Sequence, residues 1–145
     1  MLDFLFECLV IGDSIATGVS LVKPECKAVV KSGITTEKWI ENYKFNPLYR
    51  ETLYKVAVIS LGTNDYAYHN IEENLLRVRN GVRARMVIWI LPNYILKPEQ
   101  REIIIKLATQ YGDKTMDIHS YVGPDGIHPN GLDKYKEIAD RIFLK

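Results

Sequence analysis

VAVISLGTND, residues 56–65, reads as a strand together with the turn that ends it. Apart from Ser60 its first six positions are all apolar, the mark of a strand covered on both faces rather than one with a wet side. Gly62-Thr63-Asn64-Asp65 then break the run with residues that favour turns. MVIWIL, residues 86–91, has the same character, and further β-branched or apolar runs occupy residues 5–11, 26–30 and 114–118, while the central one begins at Lys55 and spans 55–61. Strands of this kind belong to parallel sheets, which need a crossover between neighbours.

The segments between the runs carry helix signals. Thr35 or Thr36 can cap a helix running through Trp39, Asn70 with Glu73 reads as a cap and reciprocating acid, and Pro98-Glu99 fits a first turn before Ile103, Ile104 and Leu107. Asn130 is placed to cap the last helix, whose apolar side comprises Leu132, Tyr135, Ile138, Ala139, Ile142 and Phe143. Strand alternating with helix, without repeats or linkers, predicts one three-layer α/β domain over residues 1–145 with right-handed crossovers.

Composition agrees with that class and narrows the function. The 145 residues are 47% hydrophobic and 26% charged, ordinary values that exclude disordered, collagen-like and coiled-coil chains. Nineteen basic and 18 acidic side chains leave a formal charge of +1, so no bulk attraction to nucleic acid or an anionic membrane is expected. The apolar stretch 4–11 is interrupted by Glu7 and falls short of the roughly 20 residues a spanning helix needs. It also lacks the basic start and cleavage site of a secretory signal, which makes the cytoplasm the default expectation, with a virion component or export by another route giving the same pattern. Cys8 and Cys26 lie in strand-like runs and are expected to be free buried thiols. Three histidines, His69, His119 and His128, without a CxxC pair, make no zinc signature.

In open α/β sheets ligands bind beyond the carboxyl ends of the strands. Those ends carry Gly12-Asp13-Ser14, Ser32-Gly33, Gly62 to Asp65 and, after the fifth run, GPDGIHPNG at 123–131. Topology therefore brings Ser14 and His128 to one rim. A serine hydroxyl needs a base within hydrogen-bond reach, usually a histidine oriented by a carboxylate, and Ser14, His128 and Asp125 supply those types. Ser14 at a strand-to-helix junction stands beside free helix N–H groups, while Gly33 can offer a backbone N–H and Asn64 a side-chain amide to a developing oxyanion. Each piece also has an ordinary structural use: Ser14 as a helix cap, Gly33 and Asp125-Gly126 as turn residues, Asn64-Asp65 as an Asx turn, His128 as a surface residue. Their joint occurrence, in order, at four strand ends favours the chemical reading.

IGDSIATG (11–18), the glycine of KSGIT (31–35), SLGTND (60–65) and DGIHPN (125–130) resemble the four conserved blocks of the SGNH hydrolases, the GDSL esterase and lipase family, over nearly the whole chain. The resemblance implies a flavodoxin-like parallel sheet of order 2-1-3-4-5 and serine-dependent ester hydrolysis with no metal or organic cofactor. By position it makes Ser14 the nucleophile and an oxyanion donor through its N–H, Gly33 and Asn64 the other donors, His128 the base and Asp125 its partner. Ile15 departs from the leucine of the family name, a conservative change. The chain is also short for the family, which argues against elaborate lids.

With little material for an acyl channel, the expected substrate is a small acyl group, acetyl, on a carbohydrate or similar polar alcohol. Tyr66, Tyr68, Tyr94 and Tyr121 near the rim suit sugar stacking, though nine tyrosines in the chain make partly buried structural tyrosine an equal reading for each. Three alternatives stand beside this one: a thioesterase or lysophospholipase of the same family, a flavodoxin-like binding module without turnover, and an α/β-hydrolase. The binding module lacks GxGxxG and GxxxxGK[ST], and the α/β-hydrolase lacks the second glycine of GxSxG. The oligomeric state is left open.

Overall fold

The computed structural model describes residues 5–66 and 70–143. Five strands, β1 (Leu5–Gly12), β2 (Lys27–Val30), β3 (Leu53–Ser60), β4 (Ala84–Leu91) and β5 (Lys114–Asp117), form one sheet of order β2-β1-β3-β4-β5 with every pair parallel. All five strand expectations are met to within two residues at each end. Six helices join them: α1 (Ser14–Val22), α2 (Thr36–Tyr43), α3 (Pro47–Arg50), α4 (Ile71–Gly81), α5 (Pro98–Tyr111) and α6 (Leu132–Ile142), with a 3-10 turn at His119–Tyr121. The short α3 and the 3-10 turn are additions to the elements read from sequence.

Both faces of the sheet are covered, as the continuous apolar runs require. Leu9, Ile11, Ala57, Ile59, Val87 and Trp89 point into one core with α2, α4 and α5. The alternate positions Cys8, Val10, Val58, Ile88 and Ile90 point into the other with α1 and α6. Neither core leaves β1, β3 or β4 a wet side over its second half, where every residue is buried.

Several local expectations are corrected. Cys8 and Cys26 form a disulfide rather than remaining free thiols. The cause is register: Leu9 faces Lys27 across β1 and β2, so the residue before each stands beside the other, with Cα atoms 4.7 Å apart. Asn130 does not cap α6, whose N-cap position falls on Gly131 at φ +89°, while the Asn130 N–H donates to the Tyr121 carbonyl. Asn70 stands at the N-cap of α4 but makes no side-chain capping bond. Leu132 is 61% exposed, off the buried side of α6. Thr35 does cap α2, accepting the Lys38 N–H, and Pro98 opens α5.

Candidate functional site

The site begins where β1 turns into α1. Gly12 has φ +138°, and a Cβ there would lie 1.9 Å from the Ser60 carbonyl oxygen, so the closeness of β1 to β3 at this corner demands glycine. Asp13, not Ser14, is the N-cap: its Oδ1 accepts the N–H groups of Ile15 (3.0 Å) and Ala16 (3.5 Å) and the Ser60 hydroxyl (3.0 Å). Ser14 is thereby the first helical residue, with its hydroxyl free for other work. No acceptor for the Ser14 N–H occurs among the described residues, and the helix dipole favours negative charge there. Asp13 is 1% exposed; burial pushes its carboxyl up to about 6, against the pull of the Ser60 and backbone donors. Its Oδ2 is buried without a hydrogen-bond partner.

The base comes from the loop at 123–130. The Ser14 Oγ lies 2.8 Å from Nε2 of His128, and Nδ1 of His128 lies 2.7 Å from Oδ2 of Asp125. The other carboxylate oxygen of Asp125 accepts the backbone N–H groups of Ile127 and His128, both at 2.9 Å. These bonds, first the one from the His128 ring and then those from the backbone, pull the Asp125 carboxyl down to about 2. Asp125 is thus ionised and fixed beside the imidazole, which sets the ring with Nδ1 as donor and leaves Nε2 to accept from the serine hydroxyl. Loop glycines and prolines allow this: Gly126 sits at φ +73° and its N–H donates to the Gly123 carbonyl, while Gly123 donates to the His128 carbonyl at 2.8 Å. An antiparallel bridge between Val122 and Pro129 closes the loop at its base.

Two further donors face the same rim. Gly33 lies exposed at φ +77° in the loop after β2, and its N–H has no acceptor among the described residues. Asn64, half-buried after β3, donates one Nδ2 hydrogen to the Ile34 carbonyl at 3.0 Å, which leaves its second hydrogen for a ligand. The two loops are stitched together below them. Asp65, 5% exposed, accepts the Thr36 N–H at 2.7 Å and the Thr36 hydroxyl at 2.6 Å, and its own carbonyl accepts from the buried Gln100 side chain at 2.8 Å. Ser14, His128 and Asp125 are thus joined in one hydrogen-bonded line, while Gly33 and Asn64 lie in the loops that follow β2 and β3.

Sequence reasoning overlooked Asp13 as cap and the Asp65–Thr36–Gln100 cluster, and placed Tyr135 only on the apolar side of the last helix. The Asp13 signal was present, an aspartate directly before an apolar helical run. Tyr135 of α6 packs so close to α1 that a Cβ on Gly18 would lie 2.2 Å from its ring. Burial, then the charges of Asp13 and Asp125, push its hydroxyl up to about 12. Of the rim tyrosines, Tyr66 and Tyr94 are 55% and 48% exposed, Tyr94 packs edge-on against His119, and the Tyr121 hydroxyl accepts from Arg141; Tyr68 lies outside the described residues.

A hollow of about 10 Å³, with room for one water-sized group, is lined by apolar side chains such as Ile15, Leu91 and Ile127 and by the polar Asn93, Asp117 and His119; Ser14 and Asn64 are not among its lining residues. The larger concavity, about 640 Å³, lies between α2 and α4 and holds none of the five residues. It is rimmed by charged side chains, so size alone would misplace the chemistry. No group of His, Cys, Asp and Glu able to hold a metal occurs among the described residues, and none of their helices is long and apolar enough to cross a membrane.

No family model and no curated protein matches the chain in sequence. Its fold, by contrast, is that of solved esterases and acylhydrolases. It is similar to the lipase/acylhydrolase from Enterococcus faecalis, with a TM-score of 0.64 at 20% identity, covering 96% of this chain and 98% of that one. The catalytic domain of peptidoglycan O-acetyltransferase A from Streptococcus pneumoniae, solved with a methylsulfonyl adduct, gives 0.62 at 19% identity, covering 95% and 90%. A carbohydrate acetylesterase from Sinorhizobium meliloti gives 0.61 at 13% identity, covering 94% and 98%.

Proposed function

We propose that the chain is a serine ester hydrolase that works through an acyl-enzyme and removes a small acyl group, acetyl, from a carbohydrate or similar polar alcohol. The observation that carries this reading is the hydrogen-bonded line from Ser14 through His128 to Asp125, at 2.8 and 2.7 Å. In the first half-reaction, Nε2 of His128 takes the Ser14 proton as Oγ attacks the ester carbonyl. The carbonyl oxygen becomes an oxyanion facing the N–H groups of Ser14 and Gly33 and the Asn64 amide. On collapse His128 returns the proton to the leaving alcohol. Water, deprotonated by His128, then attacks the acyl-serine; as the bond from the acyl carbon to Oγ breaks, His128 returns that proton to Ser14 and the acid departs.

Substrate size follows from room. The small hollow lined by Ile15 and Ile127, the chain neighbours of Ser14 and His128, has room for a methyl-sized group and not an alkyl chain, which supports acetyl over the thioesterase and lysophospholipase alternatives. The exposed Tyr66 and Tyr94 suit a sugar-bearing alcohol, and the acetylesterase and O-acetyltransferase among the similar structures act on chemistry of that kind by name.

The decisive test compares wild type and Ser14→Ala on acetyl, butyryl and octanoyl esters of one chromogenic alcohol, with organophosphonate labelling alongside. Wild type is expected to take up one label at Ser14 and to prefer acetyl, and the variant to lose both labelling and turnover. Turnover retained without Ser14 defeats the mechanism, an octanoyl preference defeats the substrate reading, and an unlabelled, inactive wild type points to a binding module.

A further inference from the structure

The bonds within the 123–130 loop set its internal shape but not its position. Asp125 Oδ1 holds the N–H groups of Ile127 and His128, Gly126 bonds to Gly123, and Gly123 bonds to His128, so each of these links joins the loop to itself. Packing adds little at the two polar residues, since the side chains of His128 and Asp125 are 45% and 52% exposed. Yet proton transfer needs Nε2 of His128 held against Ser14, and a displacement near 1 Å costs about 10²-fold in rate.

One side chain from another element meets this need. Asn93, half-buried two residues beyond β4, donates from Nδ2 to the Gly126 carbonyl at 2.5 Å, at the point of the loop between Asp125 and His128. Its Oδ1 accepts the N–H groups of Ile95 and Leu96, both at 2.8 Å, and its own carbonyl accepts from Lys97 at 2.9 Å. The amide is thus clamped on its acceptor side to the start of the β4–α5 connection and has a donor left to aim. Among the described residues, the only other side-chain hydrogen bond from outside into 123–128 is that of Ser14 to His128 itself. An asparagine is the residue type that does this in one step, because it accepts and donates at opposite atoms of a rigid plane.

We propose that Asn93 is a positioning residue, a strut from the end of β4 to the Gly126 carbonyl that holds His128 in register with Ser14. The proposal rests on the esterase reading for its kinetic consequence, but the strut itself is a separate physical claim with its own readout. It also accounts for a feature of the rim: the exposed segment Tyr94, Ile95 and Leu96 hangs from the same amide, so this rim and the loop bearing the base are tied to one side chain.

The test is Asn93→Asp, which keeps the acceptor for Ile95 and Leu96 but replaces the donor facing Gly126 with a second acceptor. Steady-state kinetics on the acetyl ester, hydrogen–deuterium exchange of residues 121–130 and thermal unfolding are measured beside wild type. The strut predicts kcat lower by about 10- to 100-fold, KM changed less than about threefold because substrate binding is untouched, and faster exchange in the loop with little change in unfolding temperature. Unchanged kcat in a folded variant overturns the proposal, as does a loss confined to KM. Should Asn93→Asp not fold, Asn93→Ser retains a local acceptor, is too short to reach Gly126, and carries the same expectations. If wild type shows no turnover, the esterase reading fails, and exchange alone then decides the strut: equal exchange in wild type and variant rejects it, faster exchange in the variant upholds it.

Discussion

The corner at 12–14 and the loop at 123–130 each contribute an aspartate to the same site, and the two aspartates are held in opposite ways. Asp13 is buried at the base of α1, with one oxygen capping the helix, the other unpartnered, and its carboxyl pushed up to about 6. Asp125 is half exposed, bonded at both oxygens, and pulled down to about 2. The difference teaches where rigidity comes from. The corner is fixed by packing, to the point that a glycine is required against Ser60, whereas in the loop Ile127 packs against the core and Asp125 and His128 are held by hydrogen bonds that water can compete for. Substitutions of Gly12 and Asp13 should therefore register mainly in stability, and those in the loop mainly in rate.

The largest expected effect breaks the loop's charge. Asp125→Asn keeps the acceptor for Ile127 and His128 but turns an N–H towards Nδ1 of His128, which favours the wrong tautomer and should lower kcat by about 10³–10⁴-fold. Its unfolding temperature should stay within a few degrees of wild type; a large drop would show that the loop is structural after all. Next in size, Asn64→Ala removes one oxyanion donor and should reduce kcat by about 10²–10³-fold. An unaltered rate would take Asn64 out of the reaction and leave it as a tie to Ile34.

At the other end of β1, the Cys8–Cys26 bond closes residues 18 apart in sequence. Loss of that link should lower the unfolding free energy by about 3 kcal/mol on loop-closure grounds. Urea unfolding of oxidised and reduced protein checks this, and coincident curves would show that register, not the bond, holds the two strands. The smallest effect concerns Asp13. Its carboxyl is raised from 3.8 to about 6 in the folded chain, so between those values the folded state binds more protons than the unfolded one. Stability is therefore present in full below about pH 4 and declines as pH rises through about 6. Unfolding of wild type and Asp13→Asn across pH 4 to 7 should show that decline in wild type only. A parallel slope in the variant would assign the titration elsewhere.

Much of this arrangement was legible in the residues. The apolar runs at 55–61 and 86–91 predict strands buried on both faces, and β3 and β4 are so buried. The rule that ligands meet the carboxyl strand ends points to Ser14, Gly33, Asn64, Asp125 and His128, of which Ser14, His128 and Asp125 are hydrogen-bonded in line. Illegible were the features that depend on a pairing across elements. Asn130 has every local mark of a cap, yet its backbone is taken by Tyr121, and the N-cap position falls on Gly131 instead. Cys8 and Cys26 look like small hydrophobes until the β1–β2 register sets them side by side.

By itself, the sequence determined the class of sheet, the approximate strand ends and the residues that follow them, Ser14, Gly33, Asn64, Asp125 and His128, because hydrophobic period and turn chemistry are local properties. Only the tertiary structure decided that Asp13 rather than Ser14 would cap α1, that two cysteines would join, and that Asn93 would reach the loop bearing His128. Each of those outcomes depends on register or on a close approach between residues distant in the chain, and the energies of such contacts exist only once the elements have packed.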